Sequence, residues 1–169
     1  MYIRQERTSD YDDVYQIVKK AFEKAEHCDG NEQDLVVALR KSKSFIPKLS
    51  LVAIEDHQIV GHILFTKARV NHIEVLALAP LSVLPQYQHQ GIGLSLIKRG
   101  HQMAIQLGYQ YSIVLGNPKY YFKSGYIPAS CYGIQAPFKV KDEHFMAICF
   151  CENAKKLNGI VHYDEAFGI

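Results

Sequence analysis

The sequence lacks a surplus of charge and a long apolar run, and each absence makes a class of protein unlikely on physical grounds. Its 169 residues carry 19 Lys and Arg against 17 Asp and Glu, so it has no basic excess of the kind that binds nucleic acid or membrane surfaces. The longest apolar run, 75–84, contains Pro80 and Ser82 and falls short of the roughly 20 residues of a membrane span. The charged start 1–7 has no apolar segment like that of a secretory signal, so we expect a soluble protein.

Metal and disulfide patterns are missing as well. The four cysteines are scattered, and neither they nor the eight histidines form a CxxC pair or an HExxH motif, so we predict no metal site. We expect reduced thiols in the cytoplasm. No repeat or linker divides the chain. Its 169 residues suit one domain, 1–169, that buries a core large enough to be stable without a metal or a disulfide.

The hydrophobic periodicity predicts a mixed α/β fold. The predicted strands are 2–7, 49–55, 58–67, 70–84, 111–115 and 145–151. The predicted helices run from the capping residues 8–10 to 22, from 31 to 39, from 91 to 107, and over a short segment from 117 to 125. This order indicates a mixed sheet with helices on both faces.

The segment between the strand that ends at Pro85 and the helix that begins near Gly91 carries the chemistry. Its loop is polar, and Gly91 and Gly93 let the backbone approach a ligand closely. Free N–H groups at a helix start, together with the positive end of the helix dipole, bind phosphate without basic side chains. Two other phosphate-binding motifs do not match this segment. Leu96 stands where a dinucleotide fingerprint needs a third glycine, and the Gly-Lys-Ser/Thr of a Walker A loop is absent.

Two linked motifs support a family resemblance. The sequence QHQGIG at 88–93, preceded by VLPQY at 83–87, resembles the acetyl-CoA pyrophosphate loop of the Gcn5-related N-acetyltransferase (GNAT) superfamily. Downstream, at the distance this family shows, NPKYYFKSGY at 117–126 resembles the segment that places a tyrosine near the CoA sulfur. The resemblance covers nearly the whole chain, and the tail 159–167 is similar to that of a little-characterised bacterial branch. It implies the acyl-CoA N-acyltransferase fold, with a mixed twisted sheet of about six to seven strands.

The resemblance also implies roles for residues. Backbone amides of 88–94 would hold the pyrophosphate, and the backbone of 81–84 would pair with the pantetheine arm and polarise the thioester carbonyl. Asn117 would touch the pantetheine, cap its helix, or do both. The cofactor-binding residues implied in this way are Leu81, Val83, Leu84, Gln88, His89, Gln90, Gly91, Ile92, Gly93, Leu94, Ser95, Asn117 and Tyr121.

Tyrosine is the prominent aromatic residue, since the chain has 11 Tyr, 8 Phe and no Trp. Tyr121 would donate a proton to the departing CoA thiolate. Neighbours on a helix diverge by about 100°, so one of Tyr120 and Tyr121 is expected to be core packing, and we favour Tyr121 as the acid.

The sequence departs from the family where a base is expected. Members often carry a glutamate on the central strand, but 78–84 contains no carboxylate. An alkyl amine, with a pKa near about 10.4, is mostly protonated at neutral pH. Glu74 and His72 lie upstream on the same strand or its bend, where alternation puts them on one face, and they are candidate bases. A water relay, or an acceptor with a low amine pKa, is the alternative. His89 and Gln90 also replace smaller or basic residues of the family's loop.

We therefore expect an N-acetyltransferase that uses acetyl-CoA as cosubstrate, with direct attack by a primary amine in a ternary complex. No cysteine lies in either motif to carry the acetyl group. The alternative is a non-catalytic acyl-CoA-binding sensor module on the same fold. Segments 22–48 and 128–144 are expected to select the amine acceptor, whose identity is open. We expect no nucleic-acid or membrane partner, and a monomer or homodimer.

Overall fold

A computed structural model describes residues 1–26 and 28–169. The helices are α1 (Tyr11–Phe22), α2 (Glu32–Arg40), α3 (Ile92–Gln106) and α4 (Pro118–Tyr121). The strands are β1 (Tyr2–Gln5), β2 (Phe45–Glu55), β3 (Gln58–Val70), β4 (Ile73–Val83), β5 (Tyr111–Leu115), β6 (Ile127–Pro128), β7 (Ile134–Gln135), β8 (Phe145–Cys149) and β9 (Gly159–His162). Every predicted helix and strand is present. The sheet has nine strands rather than six to seven, because β6, β7 and β9 escaped prediction.

The sheet is mixed, as predicted. Its main path runs β1-β2-β3-β4-β5-β8-β6, and β9 pairs with both β3 and β7. All neighbours on the main path are antiparallel except β4 and β5, which are parallel and joined through α3. Such a parallel connection needs a crossover, and a helix usually supplies it. Residue 70, expected to open β4, instead closes β3, and Asn71 with a positive φ begins the turn between them.

Helices cover both faces of the sheet, as expected. Strand residues alternate between faces, so Ile63 packs in the core with Leu96 of α3, whereas Leu64 packs with Val14 of α1 and Leu39 of α2. No helix in the described ranges is both long and apolar enough to cross a bilayer.

The helix α3 lies very close to β3. A Cβ atom on Gly100 would stand 2.2 Å from the ring of Phe65, so only glycine permits this approach. The close packing fixes the position of α3, and with it the loop that precedes the helix.

The strands β4 and β5 separate soon after they meet. Their parallel register consists of Leu76 with Ser112 and Ala77 with Ile113. Beyond this point β4 continues to Val83 along β3, while β5 ends at Leu115. The sheet therefore opens between these two strands, and the β5-facing edge of β4 is left without a strand partner in the described part of the chain.

A buried ionic cluster attaches α2 to the sheet. Arg40 donates two hydrogen bonds to the carboxylate of Glu6, which also accepts one from Ser50 Oγ at 2.7 Å. His62 Nε2 lies 3.0 Å from the same hydroxyl. Burial, with a smaller contribution from the charge of Arg40, lowers the pKa of His62 from 6.5 to about 3. His62 is therefore neutral in the folded protein.

We expect this histidine to make the protein sensitive to acid. The folded-state pKa of His62 is lowered, so its contribution is fully present above pH 6.5 and is lost as the pH falls from 6.5 towards about 3. One proton changes the free energy of unfolding by about 1.4 kcal/mol per pH unit. In urea unfolding between pH 7 and 4, His62→Gln should reduce the slope of stability against pH by up to that amount.

His72→Gln is the matched control, because His72 is exposed. Its slope should equal that of the unmodified protein. His101, whose pKa burial lowers to about 4, adds a slope of its own that should persist in both variants. A slope that His62→Gln leaves unchanged would show that His62 is not neutral in the folded state.

Candidate active site

The loop between β4 and α3 presents unpaired backbone N–H groups. Gly91, with φ of 84°, is the N-cap of α3, and no side chain caps the helix. The amide of Ser95 bonds to the carbonyl of Gly91 at 3.0 Å, so the N–H groups of 92–94 come before the first intrahelical bond. The first turn contains no acidic residue that would offset the helix dipole. This geometry fits an anion such as a pyrophosphate.

Three side chains in or next to the loop donate hydrogen bonds to main-chain carbonyls of the loop or of the end of β4. Gln88 donates to the carbonyl of Val83 at 3.0 Å, and Gln90 donates to the carbonyl of Gln86 at 3.2 Å. Ser95 Oγ donates to the carbonyl of Gly91 at 3.0 Å. These hydrogen bonds stabilise the conformation of the loop.

A cavity of about 470 Å³, which we call the loop groove, lies against this loop. Most of the predicted cofactor residues line it. Tyr87, Tyr120 and Lys123, for which the sequence predicts no cofactor contact, line it as well. Its lining residues are Leu81, Val83, Tyr87, Gln88, His89, Gly91, Ile92, Gly93, Leu94, Tyr120, Tyr121 and Lys123.

The structure does not bring four of the predicted cofactor residues into the loop groove. The amide of Leu84 is bonded to the carbonyl of Val60 at 2.9 Å, and its side chain lines a separate cavity with Arg4. Gln90 and Ser95 are absent from the lining. Asn117 caps α4 by accepting a hydrogen bond from the amide of Lys119 at 2.9 Å, which is one of the two roles expected for it.

The free edge of β4 faces the gap in the sheet. Because the amide of Leu84 points to β3, the strand alternation directs the N–H and C=O groups of Val83 and Leu81 the other way. The carbonyl of Val83 indeed meets Gln88 of the loop. Leu81 thus presents its N–H and C=O groups between the loop groove and the gap, and Val83 presents its N–H group there.

A second cavity, of about 410 Å³, lies on the β5 side of this edge. Apolar side chains dominate its walls, and they come from α1, α2, β4, the end of β5, the loop after β7 and the C-terminal segment. Its lining residues are Phe22, Glu32, Leu35, Leu78, Ala79, Pro80, Leu81, Leu115, Gly116, Asn117, Tyr121, Phe138, Tyr163, Phe167 and Ile169. Leu81 and Tyr121 line both cavities, so the two cavities meet at these residues.

The structure distinguishes the two adjacent tyrosines. Tyr120 packs on α3, where a Cβ on Gly93 would stand 2.1 Å from its hydroxyl oxygen. Tyr121 lies between the two cavities, with its ring 5.8 Å from that of Tyr126. Burial, reinforced by Tyr120, raises the pKa of Tyr121, so its phenol keeps its proton at neutral pH. A protonated phenol therefore lies at the junction of the cavities.

The candidate bases lie elsewhere. Glu74 is exposed and pairs in register with Arg69 near the start of β4, and His72 is exposed in the preceding turn. Even Leu78, which lines the second cavity with Tyr121, is about 13 Å along the strand from Glu74 at the rise of an extended chain. The structure therefore does not bring Glu74 or His72 to Tyr121.

Glu32 lines the second cavity, and sequence reasoning did not single it out. It supplies the one charged side chain among the described residues that line the second cavity. It lies within the segment 22–48, which was expected to select the acceptor, but no local pattern distinguishes it from other acidic residues there. The described ranges contain no group of three His, Cys, Asp or Glu side chains that could hold a metal ion.

Comparisons with known proteins agree with this geometry. The model of the Acetyltransferase (GNAT) family matches residues 11–122. A protein of Escherichia coli K12 described as the uncharacterized N-acetyltransferase YjhQ is 37% identical over 141 residues, which are 80% of this chain and 75% of that protein.

Two solved structures are similar over almost the whole chain. The YhbS N-acetyltransferase of Escherichia coli, crystallised in complex with CoA, is 25% identical with a TM-score of 0.89, over 99% of this chain and 92% of the other. A GNAT family acetyltransferase of Brucella melitensis, in complex with acetyl-CoA, is 32% identical with a TM-score of 0.81, over 98% and 97%. The family match contains the loop, the open edge of β4 and both tyrosines, and this chain therefore belongs to the GNAT family of acetyltransferases.

Proposed function

We propose that the protein binds acetyl-CoA in the loop groove and transfers its acetyl group to a primary amine held in the second cavity. The observation that carries this proposal is that the two cavities meet at Leu81 and Tyr121. A thioester at that junction could be attacked directly from the second cavity, with both reactants held in place.

Main-chain groups are suited to the cofactor. The N–H groups of 92–94 would bind the pyrophosphate, and the free edge of β4 at Leu81 and Val83 would pair with the amides of pantetheine, as an added strand does. The amide of one of these residues would polarise the thioester carbonyl. The complexes of similar proteins from Escherichia coli with CoA and from Brucella melitensis with acetyl-CoA support this assignment.

The transfer would proceed by direct attack. The amine nitrogen bonds to the acetyl carbon, the carbon–sulfur bond breaks, and Tyr121 gives its proton to the sulfur. Because Glu74 and His72 are remote, we propose that water takes one proton from the ammonium group before the attack and a second from the nitrogen after it. Water carries both to bulk solvent and returns one proton to Tyr121. A thiolate with a pKa of about 8.5 is a fair leaving group, so the help from Tyr121 is modest.

A non-catalytic acyl-CoA sensor is the second candidate, favoured by the absence of a carboxylate from 78–84. The release of free CoA in the presence of amines separates the two functions, because a sensor binds the cofactor without turnover.

The loop groove can be tested by cofactor binding. Acetyl-CoA at 100 times its Kd should stabilise the fold by about 2.7 kcal/mol, measured as a rise in melting temperature. Gly93→Ala should weaken binding at least tenfold, because its Cβ would stand 2.1 Å from the Tyr120 hydroxyl oxygen and push Tyr120 into the groove.

Adding Tyr120→Phe to Gly93→Ala should restore cofactor binding. Without the hydroxyl, the nearest Tyr120 atom to that Cβ is the ring carbon Cζ at 3.4 Å. Gly93→Ala combined with Tyr120→Phe should therefore regain most of the affinity, and Tyr120→Phe alone should bind normally. If millimolar acetyl-CoA leaves the melting temperature of the unmodified protein unchanged, the loop groove is not a cofactor site.

Tyr121→Phe tests the proton donor. It should lower kcat about 10- to 100-fold, with little change in the KM for acetyl-CoA, because the ring stays in place while the proton is lost. Thiol release with a panel of primary amines measures the rate. Tyr120→Phe should keep the normal rate, and an unchanged kcat in Tyr121→Phe would show that Tyr121 donates no proton.

A further inference from the structure

We propose that the second cavity selects a compact cationic amine with an apolar body, and that Glu32 holds the positive charge of this acceptor. This inference rests on the proposed function, since it names the substrate class of the same site.

The volume and the lining of the second cavity favour an acceptor with a small apolar body. Its volume of about 410 Å³ is near the small end of the range of about 300–1,000 Å³ for ligand pockets, so it suits a small molecule. Phe22, Leu35, Phe138 and Phe167 supply aromatic and aliphatic walls from four separate segments. An aryl or branched alkyl group would bury its surface there, whereas a strongly hydrated body would lose its water contacts.

The carboxylate of Glu32 favours an acceptor that carries a positive charge. Its Oε1 accepts a hydrogen bond from the amide of Asp29 at 3.1 Å, which orients the group. Its Oε2 is fully shielded from solvent and has no hydrogen-bond partner among residues 1–26 and 28–169. A carboxylate oxygen without a partner is costly, and because the Glu32 side chain is only half-buried, a change of its rotamer would bring Oε2 to an ammonium group in the cavity.

The surroundings of Glu32 strengthen this preference. An adjoining cavity shares Glu32, Leu35 and Phe138 with the second cavity, and adds Asp29 and Asp34 without any Lys or Arg among its described lining residues. The approach to the site is thus negative, although the chain as a whole has a net charge of +2. Such a field attracts cations and repels molecules that carry a carboxylate.

A structural role for Glu32 makes a different prediction. An acidic side chain in the first turn of α2 interacts favourably with the helix dipole, and Asp34 lies in the same turn. That role would affect the melting temperature of Glu32→Gln but would not make binding depend on the charge of a ligand.

Three probes with one phenethyl body separate these roles: phenethylamine, 2-phenylethanol and phenylalanine. They are titrated by calorimetry into the full-length protein saturated with CoA. We expect phenethylamine to bind at least tenfold more tightly than the neutral alcohol or the zwitterionic amino acid. Glu32→Gln should abolish the preference over the alcohol, and Glu32→Asp, which keeps the charge, should retain part of it. Glu143→Gln, at an exposed position, should behave as the unmodified protein.

The outcomes are separable from those of the cofactor test. If phenethylamine binds no more tightly than 2-phenylethanol to the unmodified protein, or if Glu32→Gln keeps the preference, the inference is wrong even where acetyl-CoA binds and amines are acetylated. Failure of acetyl-CoA to bind would instead overturn the proposed function. Melting curves of each variant establish that it is folded.

Discussion

The site depends on the early separation of β4 and β5. If the parallel pairing of Leu76–Ala77 with Ser112–Ile113 continued to the ends of both strands, every main-chain group of β4 would be bonded within the sheet. Because the pairing stops, the N–H and C=O groups of Leu81 and the N–H group of Val83 have no strand partner, the carbonyl of Val83 bonds to Gln88, and space opens on the β5 side. The loop groove, the second cavity and the position of Tyr121 between them all follow from this opening.

The use of main-chain groups for binding also explains why the composition shows no excess of basic residues. A binding site made from main-chain amides and the start of a helix needs no cluster of Lys or Arg, so a net charge of +2 is compatible with a doubly charged pyrophosphate ligand. The side chains of Gln88, Gln90 and Ser95 each donate a hydrogen bond to a main-chain carbonyl in or beside the loop. Charge is instead local, at Glu32 and its acidic neighbours, where we infer that the acceptor enters.

Local features could be predicted from the sequence, while features that depend on distant packing could not. The glycine loop and the helices have short-range patterns, so the sequence predicts a loop that ends near Gly91 and the helix that follows it. The strands β6 and β7 are too short to show a periodicity. Glu74 was placed on the correct strand, but its distance from the site depends on where β4 and β5 separate. Glu32 reaches the cavity only because α2 packs beside the C-terminal segment, a contact that no local pattern encodes.

Main-chain recognition along the open edge of β4 and the start of α3 is tested most directly by backbone amide NMR of the ¹⁵N-labelled protein during a titration with CoA. We expect the largest chemical-shift changes at Leu81, Val83 and 92–94, and small ones at Leu84, whose amide is bonded to Val60. Glu74, at the far end of the strand, should also change little. Small changes at 92–94 with large changes at other sites would contradict a cofactor site built from these main-chain groups.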